Sequence, residues 1–558
     1  MRKNYFTCYA ISPVIATVII VAVAIAIAIA FAFWVSGLLS AAGYGTRPIK
    51  LAIHGEFQVR DNDFWISVKN LGSDPVWIDK VLINGKPGIM ILYARDTDTG
   101  EYVLTEEGQI MINPGHTVEI YGVTPFLLKP SMYYELSFHT ASGIVFSRNL
   151  RAEYRTTEAI ITFGGGEEIN EGASGGGYSS GSGSVSFGES LPSPLPEPLD
   201  GVSASAVLTE GGGSGDESYF EVDFGEDGVE VTDDTFLTAC IYVDPSSDLS
   251  DSLMEILIDY QIDSSPETHY FYVVYWSSSD AYPGLPDFMT SLWYASYSGL
   301  VRVGEIVRAS DIASNDPSTN GWILFMINVS GEFPGISRIY KLFVGARGNI
   351  KVYWCKVGLT SIDTDFSFEN YVDAPSTRRD VYYFFYGGSL RIYITRPRSG
   401  YPGMHLYRPI DPNAYPDGYV VRARVKALNP NCGGGYLILS HLADSGYVAS
   451  LGIVPVVGGG IYSNNYGYPG WSWSPDELAS FDEESKLYKM YILELHVFRN
   501  PYKIVALVYD ENGTLLGTKE YTNLNEYTDI QYFSLQVSAG NGNDYFDFIF
   551  YELQIAKH

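Results

Sequence analysis

At 558 residues the chain is long enough for about three or four domains, and acidic residues outnumber basic ones 65 to 35, for a formal net charge of −30. That balance argues against a nucleic-acid partner, because phosphate binding needs Lys and Arg to displace condensed counterions; it reads as a solvated, self-repelling surface. With 4 cysteines the chain is no disulfide-dense scaffold, no CxxC pair offers a zinc site, and 44 tyrosines beside 57 glycines favour sheet over helix.

The first element is apolar. No residue from Val14 to Leu39 is charged, and as a helix this run spans about 39 Å, enough to cross the hydrocarbon core of a bilayer. Ala alternates with Val, Ile or Phe from Ala22 to Phe33, which is formally a strand period. Length overrules it, since an open strand in lipid leaves its backbone unsatisfied. Residues 11–43 are therefore a transmembrane or filament-core helix, with small side chains on every face that allow close packing against copies of itself.

From residue 46 to 160 the pattern turns to β. Alternating runs such as Phe64 to Asn70, Val76 to Gly85 and Tyr133 to Thr140 are separated by Asn70-Leu71-Gly72, Asn84-Gly85 and Asn113-Pro114-Gly115. The spacing predicts a sandwich of about seven strands. Residues 161–217, rich in Gly and Ser and then Pro, read as a linker with no core of its own. Two further sandwiches follow, over 218–362 and 363–558. The second contains a hairpin from Ile504 to Tyr521 and a last strand expected to put Ile549, Tyr551, Leu553 and Ile555 on one face. The fold class is mainly β: one N-terminal hydrophobic α-helix, then three antiparallel β-sandwich domains of jelly-roll or Ig-like type.

The opening Ser12-Pro13-Val14-Ile15-Ala16-Thr17 ahead of that helix resembles the N-terminus of archaeal type IV pilins and archaellins, which carry a class III signal peptide. The resemblance covers about 30 residues and implies removal of residues 1–10 by a prepilin peptidase, between Ala10 and Ile11, and packing of the retained helix with other pilin-like subunits or in the membrane. Here the basic charge is confined to Arg2 and Lys3, away from Tyr9-Ala10 at the cut. Residues 46–160 look like the β-sandwich head of such pilins. The stretch YILELHVFRNPYKIVALVYDENGTLLGTKEY with the closing DYFDFIFYELQI resembles the concanavalin A-like lectin/glucanase sandwich, and 218–362 resembles jelly-roll carbohydrate-binding modules.

Several constellations bear on chemistry. Sugar binding needs flat rings beside amides or hydroxyls, and Asn464, Asn465, Tyr466, Tyr468, Trp471 and Trp473 supply both in one Gly/Pro-bent loop. Trp276, Tyr282, Trp293 and Tyr294 form a second aromatic group. Glu221-Val-Asp223-Phe-Gly-Glu226 fits the acidic strand of laminarinase-type glucanases, but at the edge of the linker it reads as structural, and no enzyme activity is expected. Asp96-Thr-Asp98-Thr-Gly100-Glu101, Asn541 to Asp544, and Asp363 with Asp365 are compatible with Ca2+ but lack EF-hand spacing and read as turns, so no cofactor or metal is assigned. Cys240 and Cys355, in strand-like runs near the two ends of one domain, are a candidate disulfide, and Asn328 and Asn512 head glycosylation sequons. The expectation is an archaeal cell-surface, pilin-like protein acting in adhesion through lectin-like domains that contact an extracellular glycan. The rivals are a membrane-anchored polysaccharide-binding protein that does not polymerise and a surface-tethered glycoside hydrolase.

Overall fold

The computed structural model describes residues 13–41, 49–155, 167–171, 177–200, 202, 204–262, 265–277, 301–307, 321–333, 335–361, 367–371, 381–394, 403–429, 433–440, 447–455, 459–466, 474–499, 501–522, 530–538 and 546–558. They fall into two compact units, Met1–Arg155 and Thr156–His558. The chain is mainly β, with an N-terminal apolar helix, as its sequence predicts.

In the first unit α1 spans Pro13–Ala41, with proline at the first helical position, where its missing N–H leaves no bond unmade. At about 43 Å it is long enough to cross a bilayer, and Val14–Val35 is also apolar enough. Val18, Ile20, Ile27 and Phe33 are each more than 60% exposed. No polar face runs along it, which separates it from the amphipathic helices of soluble domains. The cut expected between Ala10 and Ile11 lies outside the described residues.

Eight strands follow: β1 Leu51–Arg60, β2 Asp63–Asn70, β3 Val76–Ile83, β4 Met90–Asp96, β5 Ile110–Ile112, β6 Thr117–Val123, β7 Tyr133–Thr140 and β8 Val145–Tyr154. They pair in the order β4-β6-β2-β1-β8-β7-β3-β5, antiparallel except for β1 with β8. Alternate residues such as Phe57, Phe64, Ile66, Ile78, Ile120 and Phe138 form the core. The turn chemistry is the one the sequence predicts. Asn84 and Gly85 both take positive φ, 51° and 68°, as an Asn-Gly hairpin turn requires. The Asn70 amide donates to the carbonyls of Asp74 (2.7 Å) and Ile112 (3.0 Å) while its Oδ1 accepts from the Gly72 N–H (2.9 Å).

In the second unit the next strands are β9 Glu167–Glu171, β10 Gly177–Ser180, β11 Ser184–Glu189, β12 Ala206–Glu210, β13 Glu217–Asp223, β14 Val229–Glu230, β15 Thr235–Val243, β16 Leu253–Ile262, β17 Ser265–Ser277, β18 Val301–Val307, β19 Trp322–Asn328, β20 Ile336–Arg347 and β21 Lys351–Ser361. One sheet runs β10-β13-β20-β16-β17-β18, with β14 on β20; its partner runs β11-β12-β21-β15-β19, with β9 on β21. Four of these strands come from the segment expected to be a linker. Short alternating runs inside it, such as Ser184-Val185-Ser186-Phe187 and Ala206-Val207-Leu208, complete sheets whose edges would otherwise stand open. Its glycines serve close backbone approach: a Cβ on Gly211 would lie 2.0 Å from the Gly348 carbonyl oxygen.

The C-terminal sandwich comprises β22 Ser367–Tyr371, β23 Val381–Tyr386, β24 Ser389–Ile394, β25 Gly403–Pro409, β26 Gly418–Ala427, β27 Gly434–Ser440, β28 Tyr447–Val454, β29 Gly460–Asn465, β30 Asp476–Ser480, β31 Met490–Arg499, β32 Tyr502–Asp510, β33 Leu515–Tyr521, β34 Tyr532–Ser538 and β35 Asp547–Lys557. Its front sheet runs β22-β25-β34-β27-β28-β29-β30 and its back sheet β23-β24-β35-β26-β31-β32-β33. The last strand departs from the expected alternation. The β26–β35 ladder shifts register between Arg422 and Arg424, so Phe548 and Phe550 share the core with Leu553 and Ile555, and Tyr551 turns to Glu197 instead.

The two sandwiches of this unit share one continuous core. Tyr393 on β24 accepts from the Leu324 N–H (2.7 Å) and donates to the Leu324 carbonyl (2.9 Å) on β19. The proline-rich stretch lies across the seam. Trp322 Nε1 donates to the Ser193 carbonyl (3.1 Å), Leu199 is buried, and Glu197 takes Lys426 Nζ (2.5 Å) and the Tyr551 hydroxyl (2.6 Å). Arg391, itself fully buried, forks onto Asp547 (2.9 and 2.6 Å) and donates to the Glu197 carbonyl (2.6 Å).

Candidate functional site

The front sheet of the C-terminal sandwich has one face in the core, made by residues such as Leu406, Leu437, Leu451 and Leu535. Strand alternation puts His405, Tyr407, Tyr436, Ile438, Ser450, Tyr462, Asn464, Tyr532, Ser534 and Gln536 on the other. The register assembles them into rows. His405 faces Gln536, which faces Tyr436, Gly452 and Tyr462 in turn; Tyr407 faces Ser534, then Ile438, Ser450 and Asn464. Tyr436 lies across Gly452, where a Cβ would meet its ring at 2.0 Å.

An arc of rings crosses these rows. Tyr532 stands edge-on to Tyr407 (centroids 6.1 Å), Tyr407 is 5.8 Å from His405, His405 is 6.1 Å from Tyr447, and Tyr447 is 5.5 Å from Tyr466. Beneath them the floor is polar and buried: Ser440, Ser534, Asn464 and His405 are 0% exposed. The Tyr466 hydroxyl lies 3.1 Å from Ser450 Oγ, and Asn464 Oδ1 accepts from the Ser474 N–H (3.1 Å). Among the described residues the hydroxyls of Ser440 and Ser534 have no hydrogen-bond partner. Burial pushes the phenols of Tyr436 and Tyr466 up, so both stay neutral and keep a hydroxyl proton to donate.

Of the loop singled out in the sequence, Asn464 and Tyr466 belong to this face. Asn465 pairs with Ala449 and takes the opposite side of β29 from Asn464. Tyr468, Trp471 and Trp473 lie outside the described residues, as do Tyr282, Trp293 and Tyr294. Trp276 is a core residue, edge-on to Phe325 at 5.1 Å. Tyr407, Tyr447 and Tyr532 were missed, because a tyrosine in a strand reads as ordinary β composition and only the register brings these together.

The acidic strand is a closed network. Glu221 accepts from Lys341 Nζ (2.6 Å) and from the Tyr178 hydroxyl (2.9 Å), and Lys341 also reaches Asp223 (3.0 Å). Both Glu221 oxygens are committed to structural partners. Asp96 likewise folds its own turn, accepting from the N–H groups of Asp98 (2.9 Å) and Thr99 (3.2 Å) and meeting His116 Nδ1 at 2.7 Å. Asp96, Asp98 and His116 bring a ligand atom each within 4.8 Å of the others, but those atoms are engaged by the protein. Asn541 to Asp544, Asp363 and Asp365 lie outside the described residues. Of the sequons, Asn328 is tied into a helical turn, with Oδ1 accepting from Gly331 N (2.7 Å) and Nδ2 donating to the Asp233 carbonyl (2.7 Å). Asn512 stands exposed at the β32–β33 tip.

No family model matches the chain, and no curated protein matches it in sequence. Among solved structures it is similar to the legume lectin-like domain from Entamoeba histolytica, at 10% identity over 35% of this chain and 90% of that one, with a TM-score of 0.25. It is also similar to the Lotus tetragonolobus seed lectin (10% identity, 35% and 95% covered, TM-score 0.25). A third is the CBM2 module of the Lactobacillus casei BL23 phage J-1 evolved Dit (12%, 35% and 90%, TM-score 0.27). Likenesses at these scores carry no functional inference. The class that the fold defines is a multi-sheet β-sandwich protein with an N-terminal apolar helix.

Proposed function

We propose that the chain is an archaeal cell-surface, pilin-like protein acting in adhesion or surface recognition, with the outer face of the front sheet as its glycan-binding surface. The observation that carries the binding half is the set of partly exposed rings, Tyr407, Tyr436, Tyr462 and Tyr532, beside Gln536 on one face of the front sheet. The Gln536 amide and the tyrosine hydroxyls offer hydrogen bonds to a polyhydroxylated ligand. The rings stack on pyranose C–H faces while hydroxyls and amides fix orientation. With both Glu221 oxygens engaged, binding rather than hydrolysis is the expected activity.

The anchoring half rests on α1, which is apolar on all sides and long enough to span a bilayer. It holds the precursor in the membrane, and after removal of residues 1–10 it packs with other subunits. N-terminal sequencing of protein recovered by shearing cells is expected to begin at Ile11. Recovery in the membrane fraction alone, with Met1 retained, would favour the non-polymerising anchor and leave the binding face to be judged separately. Purified full chain is expected to bind immobilised polysaccharide, and Gln536→Ala to weaken it.

A further inference from the structure

Cys240 and Cys355 lie directly opposite each other where β15 pairs with β21. Opposed residues of an antiparallel pair have Cα atoms about 4.5–5.5 Å apart, inside the range of about 4.4–6.8 Å that a disulfide bridges. A local irregularity creates this opposition. Between the pairs Thr238–Gly358 and Cys240–Cys355, β15 has one residue and β21 has two, and the extra one is absorbed at Lys356, whose φ is 52°. Without that bulge Cys240 would face Lys356. Both side chains point into the sandwich core, at 0% and 3% exposure.

The surroundings make this cross-link consequential. Cys240 pairs on its other side with Leu324 of β19, and Leu324 is the residue whose backbone Tyr393 of the neighbouring sandwich grips. We propose that Cys240 and Cys355 are joined by a disulfide in the mature protein, tying β21 to the strand pair that carries the junction between the two sandwiches. The segment it closes contains β16 to β20.

The bond forms by thiol–disulfide exchange with a small-molecule disulfide. One cysteine thiolate attacks it, forming a mixed disulfide and releasing one small thiol. The second cysteine thiolate then attacks the mixed disulfide and releases the other small thiol. The cysteines are oxidised as a pair, the small disulfide is reduced, and the two cysteine protons end on the released thiols. Burial, with Cys355 alongside, pushes the Cys240 thiol up, so the folded pair is a poor nucleophile and exchange takes place before β15 and β21 close over it. Presence of the bond in the native protein rests on the extracellular placement proposed above.

The test uses the full chain in two samples: refolded from denaturant with oxidised glutathione, and recovered from cells. Each is alkylated in denaturant without reductant and mapped by mass spectrometry. The expected result in both is a linked Cys240–Cys355 peptide that separates only on reduction. Alkylation of both residues in the refolded sample, or a link from either to Cys8 or Cys432, would overturn the proposal. A linked refolded sample beside a reduced cellular one would also overturn it, locating the error in the placement rather than the geometry. Reduction is expected to lower the Tm of the wild type by roughly 5 °C or more and leave Cys240→Val/Cys355→Val unmoved; equal responses would contradict the cross-link.

Discussion

The rings of His405 and Tyr447 stand edge-on, with centroids 6.1 Å apart and planes at 89°, although the strands that carry them, β25 and β28, are separated in the front sheet by β34 and β27. The two side chains therefore reach towards each other across the strands between them.

Ser534 gives the sharpest separation of binding from stability. Among the described residues its hydroxyl is buried without a hydrogen-bond partner, so Ser534→Ala is expected to leave the folded protein as stable as the wild type or up to about 1 kcal/mol more stable, with glycan binding unchanged because no part of the residue is exposed to a ligand. Urea unfolding and a binding titration on one preparation decide it. A variant clearly less stable than wild type would show that the hydroxyl has a structural partner.

Arg391 and Asp547 bind the seam of the second unit. Both are completely buried, with an N–O distance of 2.6 Å. Arg391→Met strands a buried carboxylate and is expected to destabilise this unit by about 3–5 kcal/mol. The double variant Arg391→Met/Asp547→Leu should recover most of that loss. Equal damage in both, measured by denaturant midpoint, would mean that packing rather than charge dominates here.

Asp259 supplies a pH signature. Its Oδ1 meets His269 Nδ1 at 2.8 Å, and burial, opposed by His269 and Lys341 and reinforced by Glu221, pushes its carboxyl up to about 6. A folded value above the ordinary value of about 3.9 means that its contribution to stability is full at low pH and is lost as pH rises through about 6. Asp259→Asn is therefore expected to reduce the fall in stability between about pH 4 and pH 6 by about 1–3 kcal/mol. Unfolding curves at several pH values read this directly, and parallel wild-type and variant profiles would refute it.

The two sequons differ in access. Asn512 sits at an exposed hairpin tip where its backbone N–H is held by Asp510 (2.9 Å), whereas the Asn328 amide is spent on Asp233 and Gly331. Glycopeptide mapping of protein from cells is expected to find sugar on Asn512 that Asn512→Gln removes. Occupancy of Asn328 would contradict the rigidity of its turn.

The apolar helix, the strand-rich body and turns such as Asn84-Gly85 were legible in sequence because each depends on a few neighbouring residues. The linker was not, since Gly183 and Gly211 read as flexible when in place they let backbones touch, and Leu195 and Leu199 find their core only after distant strands assemble. Asn464 and Tyr466 stand out in the sequence through local composition. Tyr407, Tyr447 and Tyr532 were invisible for the opposite reason: each is an unremarkable strand residue, and the arc of rings exists only in the register between strands far apart in the chain. The flipped end of β35 has the same origin, because a bulge near Tyr551 reverses a side-chain alternation that was extrapolated without it.

The central claim is that this ring-lined face recognises glycans, and a glycan array probed with the full chain tests it most directly. Wild type is expected to bind a defined set of polysaccharides, with Tyr407→Ala and Tyr447→Ala each weakening that binding about tenfold or more and keeping the wild-type circular dichroism spectrum. Undiminished binding in both folded variants, or loss only in Trp471→Ala/Trp473→Ala, would contradict the assignment of this face.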